Sequence, residues 1–161
     1  MKHQMTALRI VVATGALSGA AHAADHDSMD DLLSVHARVV AQCVLLADDL
    51  NFGVYSPVQD STATTTISVE CTPGVQGKIS LDGGNVGDPD KRAMSGPGKL
   101  NYQLYREAGR QTIFANRRLN EMVQIVGDGR WQRVPVYGAV PKGQSAPPGT
   151  YRDVVTATVT Y

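Results

Sequence analysis

The chain has 161 residues, 42% of them hydrophobic and 19% charged, with 15 basic and 15 acidic side chains and a formal charge of zero. That length suits a single domain, and the even balance excludes the basic field that nucleic acid or an anionic lipid surface requires. Two cysteines and one tryptophan leave little scope for a multi-thiol metal site or an aromatic sugar platform.

Residues 1–23 read as a secretory signal peptide. Lys2 and Arg9 make a positive start, residues 10–21 form a short apolar run diluted by small residues, and Ala21-His22-Ala23 fits a small-x-small cleavage site. The run is too short to span a membrane, and no other stretch approaches that length. The rest of the chain is expected to be exported. Loss of Lys2 and Arg9 turns the balance slightly acidic.

Residues 24–31 are polar and acidic, without pattern. The stretch LLSVHARVVAQCVL then places Leu33, Val35, Ala37, Val39, Ala41, Cys43 and Leu45 on one face, opposite Ser34, His36, Arg38 and Gln42, with Leu32, Val40 and Val44 as apolar exceptions. Period two predicts a long strand here, or two strands in register. More strands follow at hairpin spacing in LNFGVYS, TTTISVEC, VQGKISLDG, KLNYQLYRE, EMVQIVG and RVPVYGAVP. Their inward residues are predicted as Thr65, Ile67, Val69 and Cys71 in one, and Leu100, Tyr102 and Leu104 in another. Turn signals such as Thr72-Pro73-Gly74 and Gly127-Asp128-Gly129 separate them. Only residues 108–120 leave room for a short helix.

The chain closes on YRDVVTATVTY. Tyr151, Val155, Ala157, Val159 and Tyr161 share one face, interrupted by Asp153, while Arg152, Thr156, Thr158 and Thr160 share the other with Val154 as the exception. A half-buried strand is predicted, with no partner strand encoded after it. Seven or eight short strands without a convincing helix predict an all-β, immunoglobulin-like β-sandwich. The expected organisation is a signal peptide at 1–23, an N-terminal extension at 24–40 and the sandwich at 41–161.

Both cysteines lie in the exported part on inward faces, and an even count in an oxidising compartment favours a Cys43–Cys71 disulfide. Such a bridge contributes roughly 3–4 kcal/mol in the chain-entropy picture. Catalysis has no constellation to rest on. His26 and His36 both precede Cys43, no G-x-S-x-G occurs, and the adjacent Asp48 and Asp49 point to opposite faces of a strand. The loop DGGNVGDPDKR offers Asp82, Asn85, Asp88 and Asp90 as oxygen donors but fails the spacing of a calcium loop. No enzyme, metal or cofactor is expected.

Taken together, CVLLADDLNFGVYSP, TTTISVECTPG, KISLDGG, LNYQLYRE, GDGR and VYGAVPKGQSAPPGTYRDVVTATVTY resemble the spore coat protein U domain, the fold shared by subunits of archaic chaperone–usher pili. The match spreads over nearly all of residues 43–161, and the closing G-x-Y-x-D before an alternating strand is its most specific piece. Val126 departs from it, standing where an aromatic often precedes the glycine. The resemblance implies an incomplete sandwich, lacking one strand that is supplied in trans. A periplasmic chaperone fills the gap first, and the N-terminal segment of another subunit fills it after delivery to an outer-membrane usher. On that basis Leu33, Val35, Ala37 and Val39 are expected to form the donor strand, and Val155, Ala157, Val159 and Tyr161 the acceptor edge. The bland alternative is that residues 32–40 form the first strand of their own domain. The implied function is a structural subunit of a surface fibre, with a spore or cell coat protein as the alternative. A carbohydrate-binding adhesin is less expected, since this length leaves no room for a separate receptor domain.

Overall fold

The run from Ser61 to Cys71 is rich in β-branched residues and alternates polar and apolar from Thr66 to Cys71, and it forms the longest strand of the fold, eleven residues. The computed structural model describes Met29 and residues 31–161, so the expected signal peptide lies outside the described residues. The chain divides into two units between Ala37 and Arg38. Within the first, residues 31–37 carry neither helix nor strand.

The second unit is all-β and immunoglobulin-like. Its strands are β1 (Cys43–Ala47), β2 (Ser61–Cys71), β3 (Gln76–Leu81), β4 (Ala93–Ser95), β5 (Lys99–Asn101), β6 (Gln103–Tyr105), β7 (Val123–Val126), β8 (Gln132–Val140) and β9 (Ala157–Thr160). One sheet runs β1-β2-β8-β6, the facing sheet runs β7-β3-β9, and β4 and β5 form a separate hairpin. Every ladder is antiparallel.

The core follows from alternation on both sheets. Ile67 and Val69 of β2 with Val134, Val136 and Val140 of β8 meet Ile79 and Leu81 of β3, and Phe114 fills the space beside them. Full burial of each large apolar side chain contributes about 1.5–3 kcal/mol. Leu100, Tyr102 and Leu104 are all buried, as the pattern predicts. Gly138, in β8, is required by close approach. A Cβ there would stand 2.6 Å from Leu50 and 2.7 Å from Phe52, which cross over the strand at that point.

Four expectations need correction. The predicted strand through residues 33–45 exists only from Cys43 onward. β1 pairs with β2 from Cys43↔Cys71 to Ala47↔Ile67, and β2 ends there in a turn, so nothing earlier finds a ladder partner. LNFGVYS forms no strand, because Leu50 and Phe52 plug the core and Gly53 turns the chain at φ 69°. The helix allowed at 108–120 reduces to a 3₁₀ turn, Leu119–Glu121. Residues 113–115 are instead extended, with Phe114 N–H donating to Leu104 O at 2.9 Å. Finally, β9 is shorter than the predicted terminal strand and leaves Val155 and Tyr161 outside its ladder.

Candidate functional site

The two sheets each end in a strand with one unpaired side. β9 bonds to β3 alone and β1 to β2 alone among the described residues, and these two strands approach one another. No backbone hydrogen bond joins them. Their nearest Cα atoms lie within 8 Å. A strand bonded to both would need about 9–10 Å, two ladder spacings, so its entry requires the edges to part slightly.

The side chains along this edge are incompletely covered. Cys43 and Leu45 of β1, and Val155, Ala157 and Val159 of the terminal segment, all pack against the core yet none reaches full burial. Ile67, Val69 and Ile79, one strand inward, are at 0–2% exposure. The contrast marks a half-covered apolar seam where the β1 and β9 edges meet. Tyr161 is mostly exposed at its end. Leu33, Val35, Ala37 and Val39 are exposed and belong to no strand. The expected donor residues and the expected acceptor residues therefore both present apolar surface to solvent.

Cys43 and Cys71 form a disulfide with Cα atoms 4.1 Å apart. They are directly opposite in the β1–β2 ladder, so the bridge staples the first edge strand to its only neighbour.

The approach to β9 is held by a polar scaffold that pattern reasoning missed. Arg152 and Ser95 exchange both backbone hydrogen bonds, at 2.8 and 2.9 Å. The Tyr151 hydroxyl donates to Pro147 O at 2.7 Å. Asp153, which breaks the apolar face in sequence, accepts from the Tyr102 hydroxyl at 2.7 Å and from Asn85 N–H at 2.8 Å. Its carboxylate occupies the space a side chain at position 84 would need, and Gly84 also has φ 61°, so only glycine suits that turn. Asp82 Oδ1 accepts from Thr156 N–H at 2.9 Å and from Gly84 N–H at 3.0 Å.

Beneath these groups lies Arg92, 1% exposed. Its guanidinium donates to Asp82 O at 2.9 Å, Gln103 Oε1 at 2.7 Å and Phe114 O at 2.8 Å. Burial pulls its pKa down, opposed by the nearby Tyr102, Asp82 and Asp153. Burial pushes the Tyr102 phenol far above its usual range, and its bond to Asp153 adds to the effect. For Asp82 burial acts upward, but the hydrogen bonds from Thr156 and Gly84, with Arg92 nearby, hold the carboxyl below its ordinary value. The G-x-Y-x-D spacing was the one available sequence signal for this scaffold; Arg92 had none.

The three carboxylates of the DGGNVGDPDKR loop, Asp82, Asp88 and Asp90, are engaged by the protein. Asp88 accepts from Asp90 N–H at 3.0 Å, and Asp90 is paired with Arg117, which holds its carboxyl below the usual range. Among the described residues no three His, Cys, Asp or Glu side chains converge on a point. His36, Asp48 and Asp49 are exposed, and His26 lies outside the described residues.

Comparison with known proteins gives a consistent result. The family model for the Spore Coat Protein U domain matches residues 29–158. Protein U of Myxococcus xanthus is 34% identical over 128 residues, covering 70% of this chain and 71% of that protein. Among solved structures, the fold is similar to a chain in the chaperone–tip adhesion subunit pre-assembly complex of the archaic chaperone–usher Csu pili of Acinetobacter baumannii. That match has a TM-score of 0.57 and 23% identity, and covers 76% of this chain. This chain spans 40% of the length of that one.

Proposed function

The chain belongs to the spore coat protein U domain family, and from that premise we propose that it is a structural subunit of a secreted surface fibre, assembled by strand donation between subunits. In this reading residues 1–23 direct export, residues 24–40 are the extension that carries the donor strand, and residues 41–161 form the acceptor domain. A periplasmic chaperone covers the seam between β1 and β9 in transit, an outer-membrane usher receives the complex, and the donor segment of another subunit replaces the chaperone.

The observation that carries the reading is the half-covered seam between β1 and β9. Val155, Ala157 and Val159 pack against the core without full burial, beside two strand edges that are not hydrogen-bonded to one another. An edge of that kind is an aggregation hazard unless something covers it. Leu33, Val35, Ala37 and Val39 repeat every second residue and supply the matching apolar face. Burying four such side chains contributes very roughly 5–10 kcal/mol before ordering costs, and the added ladder bonds favour slow dissociation.

The test is Val35→Asp, with chaperone-bound subunit and surface polymer measured in the same cells. The expected outcome is normal chaperone complex and no polymer, because the new charge must enter another subunit's core unpaired. Loss of both species would return residues 32–40 to their own domain. Survival of both would remove any buried role for the segment.

The family's description favours a second reading, a coat protein built on the same domain. Extraction of the chain from isolated coats, with no fibres visible on the cells that make it, would select that reading.

A further inference from the structure

We infer that Arg106 and Gln132 decide which edge of the sandwich accepts a strand: their side chains seal β7, so an incoming strand is refused there and admitted only at the seam between β1 and β9. The inference takes its incoming strand from the strand-donation reading and adds the refusal of the opposite edge.

β7 has the makings of an acceptor. It is an outer strand, bonded to β3 alone among the described residues. Its sequence, Val123-Gln124-Ile125-Val126, is rich in β-branched residues, and Gln124 and Val126 are exposed. Edges of this kind pair with other chains unless something stops them. The ladder fixes which backbone groups are on offer. Gly127 N–H donates to Val75 O at 2.8 Å, so Gly127 faces β3, and Ile125 and Val123 face it too at two-residue steps. The carbonyls of Met122, Gln124 and Val126 therefore point away from β3.

The outer two of these carbonyls are already taken. Val126 O accepts from Gln132 Nε2 at 2.7 Å. Met122 O accepts from Arg106 Nη1 at 3.0 Å, and the same nitrogen bonds Asn120 O at 2.8 Å. An added antiparallel strand needs alternate residues to exchange both bonds, and only Gln124 keeps both of its groups free. One such pair does not hold a strand.

The neighbouring edge, β6, is closed by main chain. Phe114 N–H donates to Leu104 O at 2.9 Å and Arg106 N–H to Thr112 O at 3.2 Å, with a bridge between Tyr105 and Ile113. Arg106 thus serves both closures, its backbone on the β6 side and its guanidinium on β7.

The β1 and β9 edges lack such caps. Thr72 N–H donates to Gln42 O at 2.9 Å and Asp82 N–H to Thr156 O at 3.1 Å. By the same alternation Cys43, Leu45, Ala157 and Val159 turn their backbone groups outward. Among the described residues, side-chain hydrogen bonds reach only flanking positions such as Gln42, Asp48 and Thr156.

The experiment mixes the exported full chain with a synthetic peptide of residues 32–40, LLSVHARVV, carrying the photoreactive residue p-benzoylphenylalanine in place of His36. Cross-linked positions are mapped by mass spectrometry. On the wild type, cross-links are expected at 43–47 or 155–161 and none at 120–127. The double variant Arg106→Met/Gln132→Met keeps side-chain bulk and removes the caps. It should unfold cooperatively and capture the peptide at 120–127 about tenfold above the wild-type background, as expected when one or two competing hydrogen bonds are lost. If it loses cooperative unfolding, Gln132→Met alone is read in the same way. Adding Gln124→Pro deletes an outward N–H without touching the bonds to β3, and should abolish the new cross-links alone. Wild-type cross-links at 120–127, no gain in the folded variant, or a gain that survives Gln124→Pro would overturn the inference. Absence of wild-type cross-links at 43–47 and 155–161 overturns the strand-donation reading instead, and the gain at 120–127 still decides the role of the caps.

Discussion

The Tyr102 hydroxyl donates a 2.7 Å hydrogen bond to Oδ2 of Asp153, joining the link between β5 and β6 to the segment that leads into β9. The bond ties down the segment before β9, and it makes the fold sensitive to alkali. The folded-state pKa of Tyr102 is raised, by burial first and by Asp153 second. Stability from this group is therefore fully present below the ordinary tyrosine pKa of about 10 and is lost as pH rises beyond it. The denaturation midpoint of the wild type should fall more steeply above that pH than the midpoint of Tyr102→Phe. Tyr102 should resist ionisation in an ultraviolet titration until the protein unfolds. Ionisation of Tyr102 alongside the other tyrosines in the folded state would contradict the assignment.

Asp82 governs the acid side. Its carboxyl is held low by hydrogen bonds that outweigh burial, so its contribution is present above the unfolded value near 4 and disappears as pH falls through the folded one. Asp82→Asn should be less stable than wild type at neutral pH, and the gap should close in acid. A gap independent of pH would mean the substitution acts only through packing.

Arg92→Met removes a buried cation whose donors satisfy Asp82 O and Phe114 O. Orphaning such groups costs about 1–3 kcal/mol each, and a total loss on the order of 3–5 kcal/mol is expected. Urea unfolding should show a lower midpoint with an unchanged slope. Arg92→Lys should recover little of this, because an ammonium cannot reach three acceptors in one plane. Near-complete rescue by lysine would show that charge alone matters there.

Cys43→Ser breaks the bridge beside the free edge of β1. The expected loss is roughly 3–4 kcal/mol, seen as a lower yield of periplasmic subunit rather than altered fibres. Normal yield with abnormal fibres would shift the role of the disulfide from folding to assembly.

Val159→Asp serves as the control for Val35→Asp. Val159 packs against the domain's own core from β9, opposite Ile79. Its substitution should remove chaperone complex and polymer alike, whereas the change at Val35 should spare the complex. If both variants behave identically, the donor and acceptor roles cannot be assigned to separate segments.

Much of the sandwich was legible in the chain because strand alternation is a local property. The inward order Ile67, Val69, Cys71 and the trio Leu100, Tyr102, Leu104 follow from period two, and both sets are buried. The cysteine pair followed from count and compartment. For the seam between β1 and β9, alternation marked Val155, Ala157 and Val159 as one face but said nothing of what lies over them.

Tertiary structure decided the rest, for a reason visible in three places. Residues 33–42 alternate as well as β1 does, yet the strand starts at Cys43, because a ladder needs a partner and β2 ends at Cys71. Asp153 reads in sequence as a fault in an apolar face, and only the fold brings Tyr102 and Asn85 to its carboxylate. Arg92 resembles any solvated loop arginine until Asp82, Gln103 and Phe114, far apart along the chain, converge on its guanidinium. Pattern in a sequence records which face of a segment is apolar. Which partner covers that face, and which buried charge is satisfied, depends on contacts between distant segments, and these exist only once the chain has folded.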